Sequence, residues 1–435
     1  MAENLSTKEL QDLWSVLSVE DRMEAFKLLP QDEADDFFSE LRTHEQADLL
    51  LHLPDHLRKH WLRTLPPDDI ADLLQELDDE DRGPMLNLLD KPTRDEVSAL
   101  LVYAEDAAGG LMNPRFVMLR PEMNVEEAIR YIRIQARTTA ETIYYVYVID
   151  AERRLLGVVT LRELLMAARN ATIADIMVSD VATVPEEMDQ EEVSRRFHRT
   201  GYMAMPVVDE EGRIKGIITF DDIVDVVTEE ATEDIHKLGG SESLDAPYSE
   251  VGVWGMVSKR AGWLALLFLG AMLTATAMAS FEEAIERAAI LAIFIPLIIS
   301  SGGNSGSQAA TLVVRAMGLR EVRLSDWFWV MRRELATGLI LGLLLGLLGL
   351  LRVVGWEWIF GAYGEDFFAI GLVVSISLIS IVAWGTLIGS MLPFILRRLG
   401  FDPASSSAPF VATIVDVTGI IIYFSVANML LAELA

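Results

Sequence analysis

The sequence predicts a multidomain membrane protein: an α-superhelical N domain, a tandem pair of α/β domains, and an all-α domain of five transmembrane helices. Three observations carry this. Five long apolar runs follow Arg260, the first 110 residues repeat a helical pattern at a spacing of 36, and residues 114–235 hold a duplicated strand–turn–strand–helix pattern. The expected segments are 1–112, 113–175, 176–238, a linker with a short helix over 239–260, and a membrane domain over 261–435.

The N domain is read from its repeat. Leu29-Pro-Gln-Asp-Glu-Ala-Asp-Asp-Phe-Phe-Ser-Glu-Leu41 recurs as Leu65-Pro-Pro-Asp-Asp-Ile-Ala-Asp-Leu-Leu-Gln-Glu-Leu77. Pro30 and Pro66 suit a first helical turn, and the acids after them suit its positive end. A period of this length made of helical hairpins predicts a short superhelix.

The α/β pair is read the same way. Val146-Tyr-Val-Ile-Asp and Leu155-Leu-Gly-Val-Val-Thr160 parallel Pro206-Val-Val-Asp and Ile214-Lys-Gly-Ile-Ile-Thr219. Each copy is an apolar strand, a polar turn, a second strand and an acidic helix start. Thr160 and Thr219 stand three residues before Glu163 and Asp222, which predicts a capping box in each.

Five runs then follow, at about Ala261–Phe281, Ala288–Val314, Leu335–Val354, Phe367–Leu396 and Ala408–Leu431. Each is as long as the ~20 residues that cross a bilayer as a helix. Basic residues mark alternate loops: Lys259 and Arg260, then Arg315, Arg320, Arg323, Arg332 and Arg333, then Arg397 and Arg398. That alternation places the N-terminal half in the cytoplasm and the C-terminus outside. Trp327, Trp329, Trp356 and Trp358 fit interfacial anchors.

Charge divides the chain sharply. Residues 259–435 hold 12 acidic and 11 basic residues, which leaves net −29 of the total −30 upstream. Such a half repels nucleic acid and anionic headgroups and suits cations. The absence of cysteine excludes disulfides and thiolate metal sites. The first residues are acidic and amphipathic, with no pattern of a cleaved signal peptide. No nucleophile–base signature or P-loop points to an enzyme.

Two places in the membrane half break the apolar pattern. Asp416 is the only acid well inside a span, and a charge at that depth costs at least ~2.5–3.5 kcal/mol, so it is a functional candidate. Thr413, Gly419 and Tyr423 stand at helical spacing from it. The second span contains Ser300-Ser-Gly-Gly-Asn-Ser-Gly-Ser-Gln308. Close helix packing explains its glycines. Asn304 and Gln308 fit better beside an aqueous path, which at this depth also tolerates irregular backbone. Acids also cluster late in the cytoplasmic half: Asp189, Glu191, Asp222, Asp225, Glu233, Asp234 and Glu250. By pattern alone a solvated surface is the better explanation of them.

The duplicated unit resembles tandem cystathionine-β-synthase (CBS) domains. Together with EATEDIHKLGG, SGGNSGSQAATLVVRA and PFVATIVDVTG, the whole chain resembles the MgtE family of magnesium channels. The resemblance implies a homodimer in the bilayer with the pore between subunits, Asp416 holding hydrated Mg²⁺, and Gly303, Asn304, Gln308, Ala412, Thr413 and Gly419 lining the path. It implies a plug helix over about Ser243–Arg260, and regulatory Mg²⁺ held by Asp189, Glu191, Asp222, Asp225, Glu233, Asp234 and Glu250. Gly201 stands where family members can carry an acid, so the site at Asp189 and Glu191 differs here. CBS pairs commonly cradle an adenine nucleotide, which makes ATP or a related nucleotide a candidate ligand, with Tyr202 stacking on the base and Asp222 on the ribose. A CBS-regulated transporter of another solute and a membrane-anchored adenylate sensor are the competing readings.

Overall fold

The computed structural model describes residues 7–14, 17–136, 142–244, 246, 248–249, 251–282 and 289–432. The chain divides near Glu230 into two units. The first opens with short helices, α1 (Thr7–Trp14) to α8 (Lys91–Leu100). The 36-residue repeat sets equivalent starts within it. Helix α3 (Gln31–Glu40) follows Pro30 and α6 (Pro67–Gln75) follows Pro66. Both prolines occupy the N-cap, one position before the first turn expected for them. Phe37 and Phe38 in α3, and Ile70, Leu73 and Leu74 in α6, are fully buried. Spacings of three and four put these side chains on one helix face. Their core continues through Leu100, Ala108 and Met112 into Val184, Phe197 and Ile223 of the second α/β repeat.

Each α/β repeat is a three-stranded sheet with helices. The first has β1 (Met118–Leu119), α9 (Val125–Gln135), β2 (Tyr145–Ile149), β3 (Leu155–Thr160), α10 (Leu161–Met166) and α11 (Ile173–Ile176). The second has β4 (Val184–Pro185), α12 (Gln190–Thr200), β5 (Ala204–Val208), β6 (Ile214–Thr219) and α13 (Phe220–Leu238). In both, the first strand runs parallel to the second, and the second pairs antiparallel with the third. The hairpin turns are duplicated down to their side-chain bonds. Asp150 Oδ1 accepts from the backbone N–H groups of Glu152 and Arg154, and Asp209 Oδ1 from those of Glu211 and Arg213. An aspartate bonded two residues on fixes such a turn locally. The capping box predicted at Thr160 forms with Glu163, and at Thr219 the Asp222 carboxylate accepts from the Thr219 backbone N–H and hydroxyl.

The second unit holds the five long helices: α14 (Val253–Ala279), α15 (Ile295–Gly318), α16 (Trp327–Phe360), α17 (Phe367–Arg398) and α18 (Ala408–Ala432). All five are long and apolar enough to cross a membrane. Three details depart from the sequence expectations. The described residues of 241–252 are bends, turns and irregular chain and not helix, and residues 253–260, expected in a separate plug helix, continue directly into the first span. Gly252 caps that helix, and the apolar residues after it favour continuing a helix already begun. The second span starts as a 3-10 turn, Ala289–Phe294, and becomes α-helical at Ile295-Pro296, where a proline suits the first turn. The third begins eight residues early, because Trp327–Glu334 extends it into the interface; its 34 residues span about 51 Å.

The glycine-rich stretch of α15 is regular helix throughout. Close packing governs two of its glycines. A side chain at Gly306 would meet the Gly385 carbonyl at 2.8 Å, and one at Gly389 would collide with the Gly306 carbonyl. Gly302 and Gly385 face each other in the same way. Glycines four apart on α15 and α17 thus let two backbones touch, the packing mode of helices in lipid. Gly338, Gly342, Gly346 and Gly349 of α16 do the same against α17.

Candidate ion path and acidic cleft

Asp416 lies two turns into α18 and is half-buried. The space beside it exists because residue 303 is glycine: a Cβ there would stand 3.4 Å from Ala412 Cβ and 3.8 Å from Asp416 Oδ1. Gly303, Ala412 and Asp416 are therefore neighbours. Among the described residues no hydrogen-bond donor or basic group reaches the Asp416 carboxylate.

The other expected lining residues separate. Asn304 and Gln308 are exposed on α15, in line with Ser300 and Thr311, so a polar stripe faces outward from the single chain. Thr413 points toward α14, where its methyl group fills the space left by Gly270, and it borders an apolar cleft with Leu266 and Leu273. Gly419 is buried against Ile381 of α17, and Tyr423 donates to the Leu291 carbonyl at 2.8 Å. Neighbouring positions on a helix point about 100° apart, which sends Thr413 away from the face that Ala412 and Asp416 share.

The first unit carries a cleft of about 450 Å³ that joins α6 to α13. Asp68, Asp69, Asp72 and Glu76 line it from the N domain, Glu105 from the following loop, and Asp222, Asp225 and Glu229 from α13; Arg42 is the one basic residue among its lining. Spacing explains the gathering. Asp68, Asp72 and Glu76 recur every four residues on one helix face, and Asp222, Asp225 and Glu229 at three and four on the other. Asp68 is buried and accepts from the fully buried Asn113 Nδ2 at 3.0 Å. Asp72 is crowded by protein atoms yet open to the cleft. Burial, then the charges of Asp69, Glu105, Asp222 and Glu229, push its carboxyl up to about 8. So concentrated a negative field with so little counter-charge fits a hard divalent cation bound through carboxylates and water. Among the described residues no three ligand groups close into a ready chelate.

Asp222 and Asp225 stand out in the sequence as candidates, but none of the N-domain carboxylates does. Their four-residue period was visible, but not the partner helix that it faces. The remaining acids sit elsewhere. Asp189 caps α12, accepting from the Glu191 backbone N–H at 3.0 Å, and Glu191 pairs with Arg195. Glu233 pairs with Lys237. Asp234 is exposed on α13, and Glu250 lies outside the described residues.

A second cleft of about 600 Å³ in the first unit is lined by Thr142, Tyr144, Met203, Thr219, Phe220, Asp221, Val224 and Asp225. Neither residue expected at a nucleotide lines it. Met203 borders the cleft, whereas Tyr202 does not, its ring lying 6.0 Å from that of Tyr145. Asp222 is drawn back onto Thr219 at 2.6 Å, which leaves Asp221 in the cleft.

Residues 295–426 match the family described as MgtE, divalent cation transporter; residues 5–106 match the MgtE intracellular N domain, and residues 108–170 and 173–229 match CBS domains. The magnesium transporter MgtE of Thermus thermophilus is 47% identical over 345 residues, 79% of this chain and 74% of its own. The chain belongs to the MgtE family. MgtE of Enterococcus faecalis is 35% identical over 77% of this chain and 71% of its own. A solved structure of the cytosolic domain of the Mg²⁺ channel MgtE in complex with ATP is 43% identical, covering 52% of this chain and 92% of that one with a TM-score of 0.48. Inosine-5′-monophosphate dehydrogenases match over short stretches, 76 residues in that of Nitrosopumilus maritimus. MgtE proteins are membrane transporters and not enzymes, and the five apolar helices make this chain a multi-pass membrane protein.

Proposed function

We propose that the chain, as a homodimer, moves Mg²⁺ across the membrane into the cytoplasm along a path through Asp416. We further propose that Mg²⁺ gathered by the acidic cleft closes that path. The observation that carries the transport reading is the unpartnered Asp416 carboxylate beside Gly303 and Ala412. A fixed negative charge attracts the cation, and the gap at Gly303 leaves room for its water, which Mg²⁺ gives up reluctantly. The outward polar stripe of Ser300, Asn304, Gln308 and Thr311 favours a dimer, since a second copy would cover it and make it an aqueous lining. The relatives named magnesium transporter support Mg²⁺ as the substrate.

For gating, the cleft's carboxylates repel one another until a divalent ion bridges them. Such an ion shifts the equilibrium toward whichever state binds it better. Two copies of a strongly acidic cytoplasmic half repel in the same way, so Asp189, Glu191, Glu233, Asp234 and Glu250 are assigned to further sites where ions would draw the halves together. An adenine nucleotide is assigned to the second cleft, with Tyr144 or Phe220 against the base and Asp221 on the ribose hydroxyls.

Mg²⁺ flux into proteoliposomes, with cytoplasmic-side Mg²⁺ varied independently, tests the reading. Wild type should conduct at low and close at high cytoplasmic Mg²⁺, while Asp416→Ala remains a folded dimer without flux. Wild-type transport by Asp416→Ala would remove Asp416 from the path.

A further inference from the structure

The end of α13 is fastened to the chain just ahead of α18 by a set of contacts centred on Lys237. Lys237 donates to Asp402 Oδ2 at 2.7 Å and also pairs with Glu233 one turn back. Asp402 is itself fixed, its other oxygen accepting from the Ala404 backbone N–H at 2.8 Å. Three residues beyond Lys237, Gly240 takes a left-handed conformation (φ 75°), and a Cβ on it would stand 2.7 Å from Trp263 Nε1 and 3.4 Å from Pro409. Trp263 Nε1 donates to Ser407 Oγ at 3.2 Å, and the fully buried Ser407 accepts from the Phe410 backbone N–H at 3.3 Å, inside the first turn of α18.

We propose that Lys237 is a built-in cation that couples α13 to the pore helix, with Gly240, Trp263 and Ser407 completing the link, and that through it movement of α13 repositions Asp416. This rests on the transport and gating reading above. The same continuous helix that ends at Lys237 carries Asp222, Asp225 and Glu229 nearer its start. Asp416 lies eight residues past Ala408, about 12 Å along a rigid helix. A shift at the start of α18 therefore reaches Asp416 undiminished. An exposed ion pair would do little of this. Here one ammonium serves two carboxylates, is 29% exposed, and joins positions 165 apart in the chain.

Lys237 is a positioning residue, so the test reads coupling and not flux alone. The quantity is the ratio of Mg²⁺ flux at low to that at high cytoplasmic Mg²⁺, in proteoliposomes of the full chain. Lys237→Gln and Asp402→Asn should each lower it roughly fivefold or more, the scale of a coupling between sites. The double variant Lys237→Glu with Asp402→Lys should restore it. The chain has no cysteine, so Lys237→Cys with Asp402→Cys offers a second route. A short cleavable reagent bridging the two thiols should raise the ratio, and cleaving it should lower the ratio again. Single variants that keep the wild-type ratio, or a bridge that leaves it unchanged, overturn the link. A wild type that passes no Mg²⁺ overturns the transport reading instead, and an ungated wild type overturns gating and link together.

Discussion

The two regions proposed to meet the ion differ sharply in their number of charges. In the membrane unit the Asp416 carboxylate has no protein partner among the described residues. In the cytoplasmic unit the cleft between α6 and α13 gathers Asp68, Asp69, Asp72, Asp222, Asp225, Glu229 and others. The surroundings set the difference. Charge interactions are strong in a low-dielectric bundle and weak near bulk water, where neighbours must add up. One group is then indispensable, whereas each of many is replaceable in part.

Neutralisation should expose that contrast most directly. Asp416→Asn keeps the size but not the charge, and should cut Mg²⁺ flux roughly a hundredfold, the equivalent of about 2.7 kcal/mol. Its heat-unfolding midpoint should stay at or above that of wild type, because a desolvated charge is removed. Flux within twofold of wild type would erase the contrast.

In the cleft, Asp72→Asn or Asp225→Asn should raise the Mg²⁺ needed to protect the 235–258 segment from protease by only about three- to tenfold, near 1 kcal/mol. KCl at equal ionic strength should not protect, since screening acts over ~8–10 Å but does not bridge carboxylates. Equal protection by both salts would reduce the cleft to a solvated surface.

The Asp72 carboxyl, raised to about 8 by burial and four neighbouring acids, adds a pH dependence. Below that value a proton occupies the group and Mg²⁺ must displace it, so the Mg²⁺ requirement should fall several-fold from about pH 6.5 to about pH 8.5. The native state binds this proton more tightly than the unfolded chain, so stability without Mg²⁺ should decline as pH rises through the same window. Asp72→Asn should flatten both trends, and curves parallel to wild type would contradict the assignment.

The smallest effect belongs to Asp189. Its carboxylate caps α12, so Asp189→Ala should cost about 1 kcal/mol of stability, as cap losses do. The Mg²⁺ requirement should move less than for Asp72→Asn. A larger shift would make Asp189 a ligand in the dimer.

Sequence alone determined whatever depends on periodicity and on neighbours a few residues apart. Apolar runs long enough to cross a bilayer gave five spans, and duplicated strands gave two sheets with matching Asp150 and Asp209 turns. The capping box at Thr160 and the Thr219–Asp222 bonds follow from three-residue spacing, and Asp416 was conspicuous as the lone deep acid. Tertiary structure decided everything that depends on which faces meet. Gly302 and Gly306 serve backbone contact with α17, while Gly303, between them in sequence, opens the space beside Asp416. Asp68 and Asp72 join Asp222 and Asp225 across some 150 residues of chain, and Asp221 and Tyr144, not Asp222 and Tyr202, line the second cleft. A pattern along the chain fixes which residues share a face, because backbone geometry is local; what that face touches is set by packing among distant segments.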